Sequence, residues 1–384
     1  MMTRRKTCGL LASAAVLSGC QTVPSPAAVP RARLLWRKGA LMREASGGFG
    51  GRDFTMAAPF RVASVTKLLV AELARRLAAE GRIDLDADVA PELGTGFRHP
   101  AHPDRAVTLR RLLSHRSGIT DPPVYWLAAP GDIRALITPA IWEAGATPGE
   151  SFRYSNFNYG LAATVIEART GERFDRLFDR HIAAPLGLDI GLNWSGVSRA
   201  KRASGFPGLR GQPGDWAVQV DGPDVLGARD PAVLIQDGAS LSDYRPGRNG
   251  TLFSPQGGLR ASVDDLLRIG RDVILAQPDL WEPSWVWDGT VREGGPSESG
   301  HFVAFGEGVY IYPAERSPVP GRRLVGHHGE AYGIHCGVWA APDDGSVFVH
   351  ADLGSPADGS PLQGGVPNLT AASADAFAWW RERL

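Results

Sequence analysis

Ser64 and Lys67 lie three residues apart in Phe60-Arg61-Val62-Ala63-Ser64-Val65-Thr66-Lys67. On a helix this offset puts both side chains on one face. Val65, Leu68, Leu69 and Val70 around them are apolar, and an ammonium buried among such residues is costly unless it is paired or neutralised. A lysine so placed can lose its proton near neutral pH and draw one from a serine hydroxyl, which turns the serine into a nucleophile. The bland alternative is a lysine snorkelling from a half-exposed helix. A second group, Tyr154-Ser155-Asn156, follows the turn Pro148-Gly149-Glu150 and stands where a loop enters a helix. A phenol and an amide there can face a cleft, although a surface turn would read the same way. The third group, Gly326-His327-His328-Gly329-Glu330, ends a stretch of strand character. Its glycines would let a ligand approach the backbone closely.

Periodicity supplies the elements that must hold these groups. Apolar residues at three- and four-residue steps predict a helix from about Ser64, stopped by Gly81. Thr108 reads as the N-cap of a helix over 109–114, and 156–170 as an Ala-rich helix closed by Gly171. A helix over 174–182 is expected to stop before Pro185, and Ser262 to cap one that runs to about Ala276. Strands are expected over 34–39, 308–312, 324–327, 334–341 and 346–351, with a closing helix over 373–384. The Gly/Pro-rich stretch 190–260 reads as long loops. Strands at both ends with helices between them predict an α/β (α+β) fold, in which the termini build an antiparallel sheet and a helical region is inserted.

The 384 residues are 43% hydrophobic and 21% charged, which suits a folded protein of about two domains or one with an insertion. Forty-one basic against 41 acidic residues leave no net charge, so the basic footprint of a nucleic-acid binder is missing. Long like-charge and low-complexity runs are also missing, which argues against disorder. Arg4, Arg5 and Lys6, an apolar 9–16 and Leu17-Ser18-Gly19-Cys20 resemble a bacterial lipoprotein signal. That resemblance implies removal of 1–19, lipidation of Cys20, a Pro-rich tether over 20–33, and an exported, membrane-anchored protein facing the periplasm or the cell surface. An ordinary secretory signal is the alternative. Cys336 would then be a lone thiol, expected to be inert in the core. His327, His328 and His335, like His99, His102 and Asp104, lack the spacing of a zinc site, so neither metal nor cofactor is expected.

Together and in this order, the motifs resemble the serine β-lactamase-related hydrolases: class C β-lactamases, D-alanyl-D-alanine carboxypeptidases and related esterases. The carriers are the Ser64-x-x-Lys67 motif, Leu112-Leu113-Ser114-His115-Arg116-Ser117-Gly118-Ile119, Tyr154-Ser155-Asn156, Gln256-Gly257-Gly258-Leu259-Arg260-Ala261-Ser262, and Gly326-His327-His328-Gly329. The resemblance covers 34–384. It implies a β-lactamase-like fold, with a sheet subdomain roughly over 34–63 and 300–384, a helical one over 64–299, and Ser64 at their junction. It also implies an acyl-enzyme on Ser64, with Lys67 and Tyr154 as the proton relay, either of them able to be the base. Asn156 would hold substrate or orient Lys67, and His327 would line the strand side of the cleft. Backbone N–H groups of Ser64 and Glu330 would form the oxyanion hole, where losing one donor costs about 2.7–4 kcal/mol of barrier. His328, Gly329 and Glu330 would contact substrate.

His328 stands where relatives offer a small hydroxyl residue, and a Glu330 carboxylate in the cleft would repel anions. Both departures favour an esterase or amidase acting on neutral or cationic small acyl compounds. A β-lactamase or D-alanyl-D-alanine carboxypeptidase, and a non-catalytic binder of peptidoglycan or D-amino-acid ligands, are the alternatives. The short stretch before Leu34 predicts an incomplete sheet edge. Trp126, Trp142 and Trp194 could wall the cleft, but packing roles are expected.

Overall fold

Strands β1 (Arg31–Arg37) and β2 (Ala40–Ser46) form a hairpin in register, Arg37 opposite Ala40. Lys38 and Gly39 between them both have positive φ, 50° and 80°, the geometry of a two-residue turn whose twist matches the strands. The computed structural model describes residues 28–127, 131–212, 215–218, 241, 244–289, 301–355, 367 and 369–384. Cys20 and most of the expected tether lie outside the described residues. Among those residues, no helix is long and apolar enough to cross a membrane.

The hairpin joins β3 (Trp285–Val286), β4 (Ala304–Phe305), β5 (Tyr310–Tyr312), β6 (Leu324–Ala331), β7 (Ile334–Ala341) and β8 (Ser346–Asp352) in one antiparallel sheet of order β2-β1-β8-β7-β6-β5-β4-β3. β1 is therefore paired on both sides, by β2 and β8. The expected gap at this edge is filled by the hairpin itself. β7 and β8 are buried throughout because helices cover both faces. Val338, Val347 and Cys336 point into one core, and Trp339 and Phe348 into another with Phe377 and Trp380 of the closing helix. Arg33 is buried against Asp352 (2.8 Å) and reaches Asp375 (3.0 Å), tying β1, β8 and the closing helix together.

Helix α1 (Thr66–Ala79) leaves a short 3-10 turn, Ala63–Val65. The Thr108 hydroxyl caps α2 (Leu109–Leu113), and Gly171 in the left-handed region ends α3 (Phe157–Thr170). Helix α4 (Phe174–Phe178) does not stop before Pro185. It runs on through a widened turn, Asp179–Ala183, to Leu186 and ends at Gly187. The widened turn accommodates a residue that has no N–H and whose ring crowds a regular helix. Ser262 and Asp265 form a capping box for α5 (Val263–Ile269), and α6 (Ala371–Arg381) closes the described fold.

Two expectations change. The subdomain boundary near 300 falls inside the sheet, since β3 belongs to it. Gly270, just after α5, lies so close to the sheet that a Cβ there would stand 2.4 Å from a Val347 methyl. The sheet layer therefore begins near 263. The stretch expected as loops contributes two strands, Leu209–Gln212 and Asp215–Val218, to a small sheet completed by Gly354–Ser355. Trp142 packs on Phe97 and His99, and Trp194 is buried under Arg260, whereas Trp126 is exposed.

Candidate active site

The chain enters the Ser64 turn from Phe60–Arg61, which pairs with Arg260–Ala261. Ala63 adopts φ +47, a conformation that costs a non-glycine residue about 1–2 kcal/mol. Three bonds from elsewhere sustain it: Val62 N–H donates to the Leu259 carbonyl (3.0 Å), the Thr66 hydroxyl to the Ala63 carbonyl (2.6 Å), and Leu259 N–H to the Thr66 hydroxyl (3.0 Å). Ser64 is thereby held half-buried at the start of α1.

Lys67 is fully buried. Its Nζ lies 3.0 Å from Ser64 Oγ, donates to Asn156 Oδ1 (2.9 Å) and to the Gln256 carbonyl (2.6 Å), and stands 4.9 Å from the Tyr154 ring centre. Burial pushes its pKa down to about 7, with Asp121 opposing the shift. Burial drives the Tyr154 phenol well above its ordinary range, although a hydrogen bond with Ser64 works the other way. Near neutral pH the amine is the group poised to change charge, while the phenol stays protonated. Asn156 immediately precedes α3, and its amide links Lys67 to Asp121 through Nδ2–H (3.0 Å).

Strand β6 runs four residues past its expected end, to Ala331. His327 meets Tyr154, Phe305 and Tyr310 at ring separations of 6.4, 6.0 and 4.8 Å. Its Nδ1 is bonded to the His328 carbonyl, and its buried Nε2 has no hydrogen-bond partner among the described residues. Burial, with Lys67 nearby, pushes it down to about 3, so it is a neutral acceptor.

A family model described as Beta-lactamase matches residues 31–351. The chain belongs to the β-lactamase family. Among its relatives, esterase EstB of Burkholderia gladioli is 28% identical over 274 residues, 64% of this chain and 63% of EstB. The D-alanyl-D-alanine-carboxypeptidase/endopeptidase AmpH of Escherichia coli K12 is 28% identical over 137 residues, 33% of this chain and 35% of AmpH. The chain thus matches about a third of AmpH and less than two thirds of EstB. Solved structures of similar fold include a D-amino acid amidase from Ochrobactrum anthropi SV3 complexed with D-phenylalanine (20% identity, TM-score 0.62, covering 92% of this chain and 94% of that one). A β-lactamase/D-alanine carboxypeptidase from Yersinia pestis is another (17% identity, TM-score 0.63, covering 92% and 93%).

In this β-lactamase-family site, Ser64, Lys67, Tyr154, Asn156 and His327 lie together. His328 does not join them. It points through the opposite face of β6, where its Nε2 shares a hydrogen bond with the Tyr312 hydroxyl (2.9 Å) and its ring packs on Trp339 and Phe377. Strand alternation sends neighbours to opposite faces, so His328 cannot serve as a substrate contact. Gly329 and Gly326 also have packing roles rather than opening the backbone to a ligand. A Cβ at Gly329 would stand 2.2 Å from the Val62 carbonyl oxygen, and one at Gly326 would stand 2.0 Å from that of Val338. Gly329 thus lets β6 touch the nucleophile turn. Glu330 pairs with His335 across the strands (3.8 Å), keeps one third of its side chain exposed and acts on the Tyr154 phenol. Its pKa is lowered despite desolvation, the largest influence on it, because His335 and His301 favour the ionised form. Cys336 is buried, its thiol donating to the Val62 carbonyl (3.4 Å) and held far above its usual pKa by burial, as expected of an inert core thiol. Among the described residues, no cluster of His, Cys, Asp and Glu fits a metal.

Sequence reasoning missed two members. His115, inside the quoted Leu112-to-Ile119 segment but given no role there, has φ +56 and lies against Tyr154 at 4.2 Å; its Nδ1 accepts from Ser155 N–H (3.1 Å). Asp121 accepts from the Ser155 hydroxyl (2.7 Å), the Phe157 N–H (2.9 Å) and the Asn156 amide. The usable signal for Asp121 was a carboxylate between Ser117-Gly118-Ile119-Thr120 and Pro122-Pro123.

Proposed function

We propose that this β-lactamase-family protein is a serine hydrolase that cleaves small ester or amide substrates through an acyl-enzyme on Ser64. The observation that carries this reading is the buried Lys67 amine, 3.0 Å from Ser64 Oγ with its pKa brought to about 7. Ser64 Oγ attacks the substrate carbonyl while its proton passes to Lys67 Nζ. The tetrahedral oxyanion forms beside the start of α1, where Ser64 and Glu330 N–H groups are proposed as its donors. Collapse expels the leaving alcohol or amine, which takes the proton through Lys67 or the neutral Tyr154 hydroxyl. Water then repeats the sequence on the acyl ester and frees Ser64.

Electrostatics favour neutral or cationic acyl compounds. His327 is uncharged, and Glu330, on the His328 face of β6, is ionised and acts on Tyr154 through its charge, so an anionic substrate meets a repelling field. This argument now rests on the Glu330 charge alone, since His328 is neutral and, like Glu330, lies on the face of β6 away from Lys67. A peptidase reading draws on one observation: β5 pairs with β6 only at Leu324–Gly326, and an extended peptide could add along the rest of β6.

A fluorophosphonate probe should label wild-type protein and not Ser64→Ala; absence of wild-type labelling would favour a binding protein. Side-by-side kinetics on a short-chain aryl ester, a D-aminoacyl amide and a chromogenic cephalosporin should rank the cephalosporin last. Its fastest turnover would overturn the substrate reading.

A further inference from the structure

The Asn156 amide is asymmetric, with an oxygen that accepts and an NH2 that donates. A carboxylate can only accept, so the NH2 must turn to Asp121 Oδ2 (3.0 Å), which leaves the oxygen facing Lys67 Nζ (2.9 Å). Asp121 is itself held from two further directions, by the Ser155 hydroxyl and by the Phe157 N–H at the start of the fourteen-residue α3. That N–H is one a helix cannot satisfy internally, and a negative charge is favourable there.

We propose that Asp121 is a positioning residue for Lys67, locking the Asn156 amide with its oxygen toward the amine and supplying a carboxylate charge that the amine faces. The inference rests on the hydrolase reading only for its catalytic consequence. Among the described residues, four other titratable groups pack around Lys67 and carry no charge near neutrality. His115, from the loop after α2, and His327, from β6, are kept neutral by burial. Tyr154, before α3, and Tyr159, within it, are kept protonated by burial. Of these groups, only Asp121 balances the cost of burying an ammonium. Without it the amide is free to flip and present donors to a group that is itself a donor.

Lysine occurs only at positions 6, 38, 67 and 201, so 13C-labelled lysine gives a spectrum in which Lys67 can be followed directly through a pH titration. Asp121→Asn, shown folded by thermal unfolding, should lower the Lys67 midpoint by about one pH unit and, at a pH where Lys67 is unprotonated in both proteins, slow ester acylation about tenfold with KM little changed. Ser155→Ala, which loosens the same segment but keeps the charge and the amide link, should leave the midpoint in place. If Asp121→Asn does not fold, Asn156→Ser severs the bridge while sparing the helix start, and a lowered midpoint is again expected. A folded Asp121→Asn protein whose Lys67 titrates at the wild-type pH overturns the proposal. A shifted midpoint in a protein that never labels with fluorophosphonate sustains it and refutes the hydrolase reading instead.

Discussion

Mild acid should unfold this protein, because four histidines are buried and neutral. His115, His327, His328 and His350 are all held below their ordinary pKa, with desolvation the largest cause in each. In the unfolded chain each regains its ordinary value, so below about pH 6.5 the unfolded state binds more protons and stability falls with pH. At about pH 5 each such imidazole favours unfolding by about 2 kcal/mol, and four together by about 8 kcal/mol. Glu167 works in the opposite sense. Its buried carboxyl is raised to about 7, so the native state takes up that proton first and recovers about 2 kcal/mol over the same range. Lys67 adds less than about 1 kcal/mol to the loss, since both states are largely protonated there. The net loss of about 6 kcal/mol is comparable with the total stability of an ordinary domain, about 5–15 kcal/mol. Urea titrations followed by tryptophan fluorescence at several values between about pH 7.5 and 5 would measure it. Neither His350 ring nitrogen has a hydrogen-bond partner among the described residues, so His350→Leu tests one group without breaking a described bond. It should lower the slope by about 1.4 kcal/mol per pH unit in the acid range. A flat profile in the wild type, or an unchanged slope in His350→Leu, would refute the reasoning.

Activity on an aryl ester should rise with pH through about 7 as Lys67 loses its proton, and kcat/KM profiles without a midpoint near 7 would show that another group is the base. Gly329→Ala places a Cβ 2.2 Å from the Val62 carbonyl oxygen; it should cost about 1–3 kcal/mol of stability and about a hundredfold in acylation, read by thermal unfolding and probe labelling. Glu330→Gln should improve turnover of anionic relative to neutral esters by about three- to tenfold, the effect of removing one partly exposed charge; matched ester pairs would measure it. We propose that Cys20 carries the lipid that the signal-like N-terminus calls for; wild-type protein should then incorporate radiolabelled fatty acid and Cys20→Ser should not, and no label in the wild type, or label retained in Cys20→Ser, would refute lipidation at Cys20.

The nucleophile turn, the Tyr154 junction and the paired termini were legible because local pattern decides them: a three-residue offset on an apolar helix, a turn before an Ala-rich helix, and alternating strands. His328 was misplaced because β6 runs to Ala331, and one more strand residue sends each neighbour to the other face. Asp121 and His115 escaped because their partners lie 34–43 residues away, and nothing in their neighbours reports that distance. Pro185 misled in the opposite way, since propensity marks a stop that the wider turn absorbs. The short β3 was hidden because two residues carry no period.

The Ser64 turn touches Gly329 and Cys336, and β1 pairs with β8. Both contacts join residues 31–65 to the last third of the chain. During synthesis the serine and its lysine emerge early, but the strands that hold the turn emerge last. Contacts this distant in sequence carry a large closure cost and form late. The nascent chain therefore has no organised nucleophile until β6–β8 dock, and a product truncated before Leu324 would carry Ser64 and Lys67 without hydrolytic chemistry.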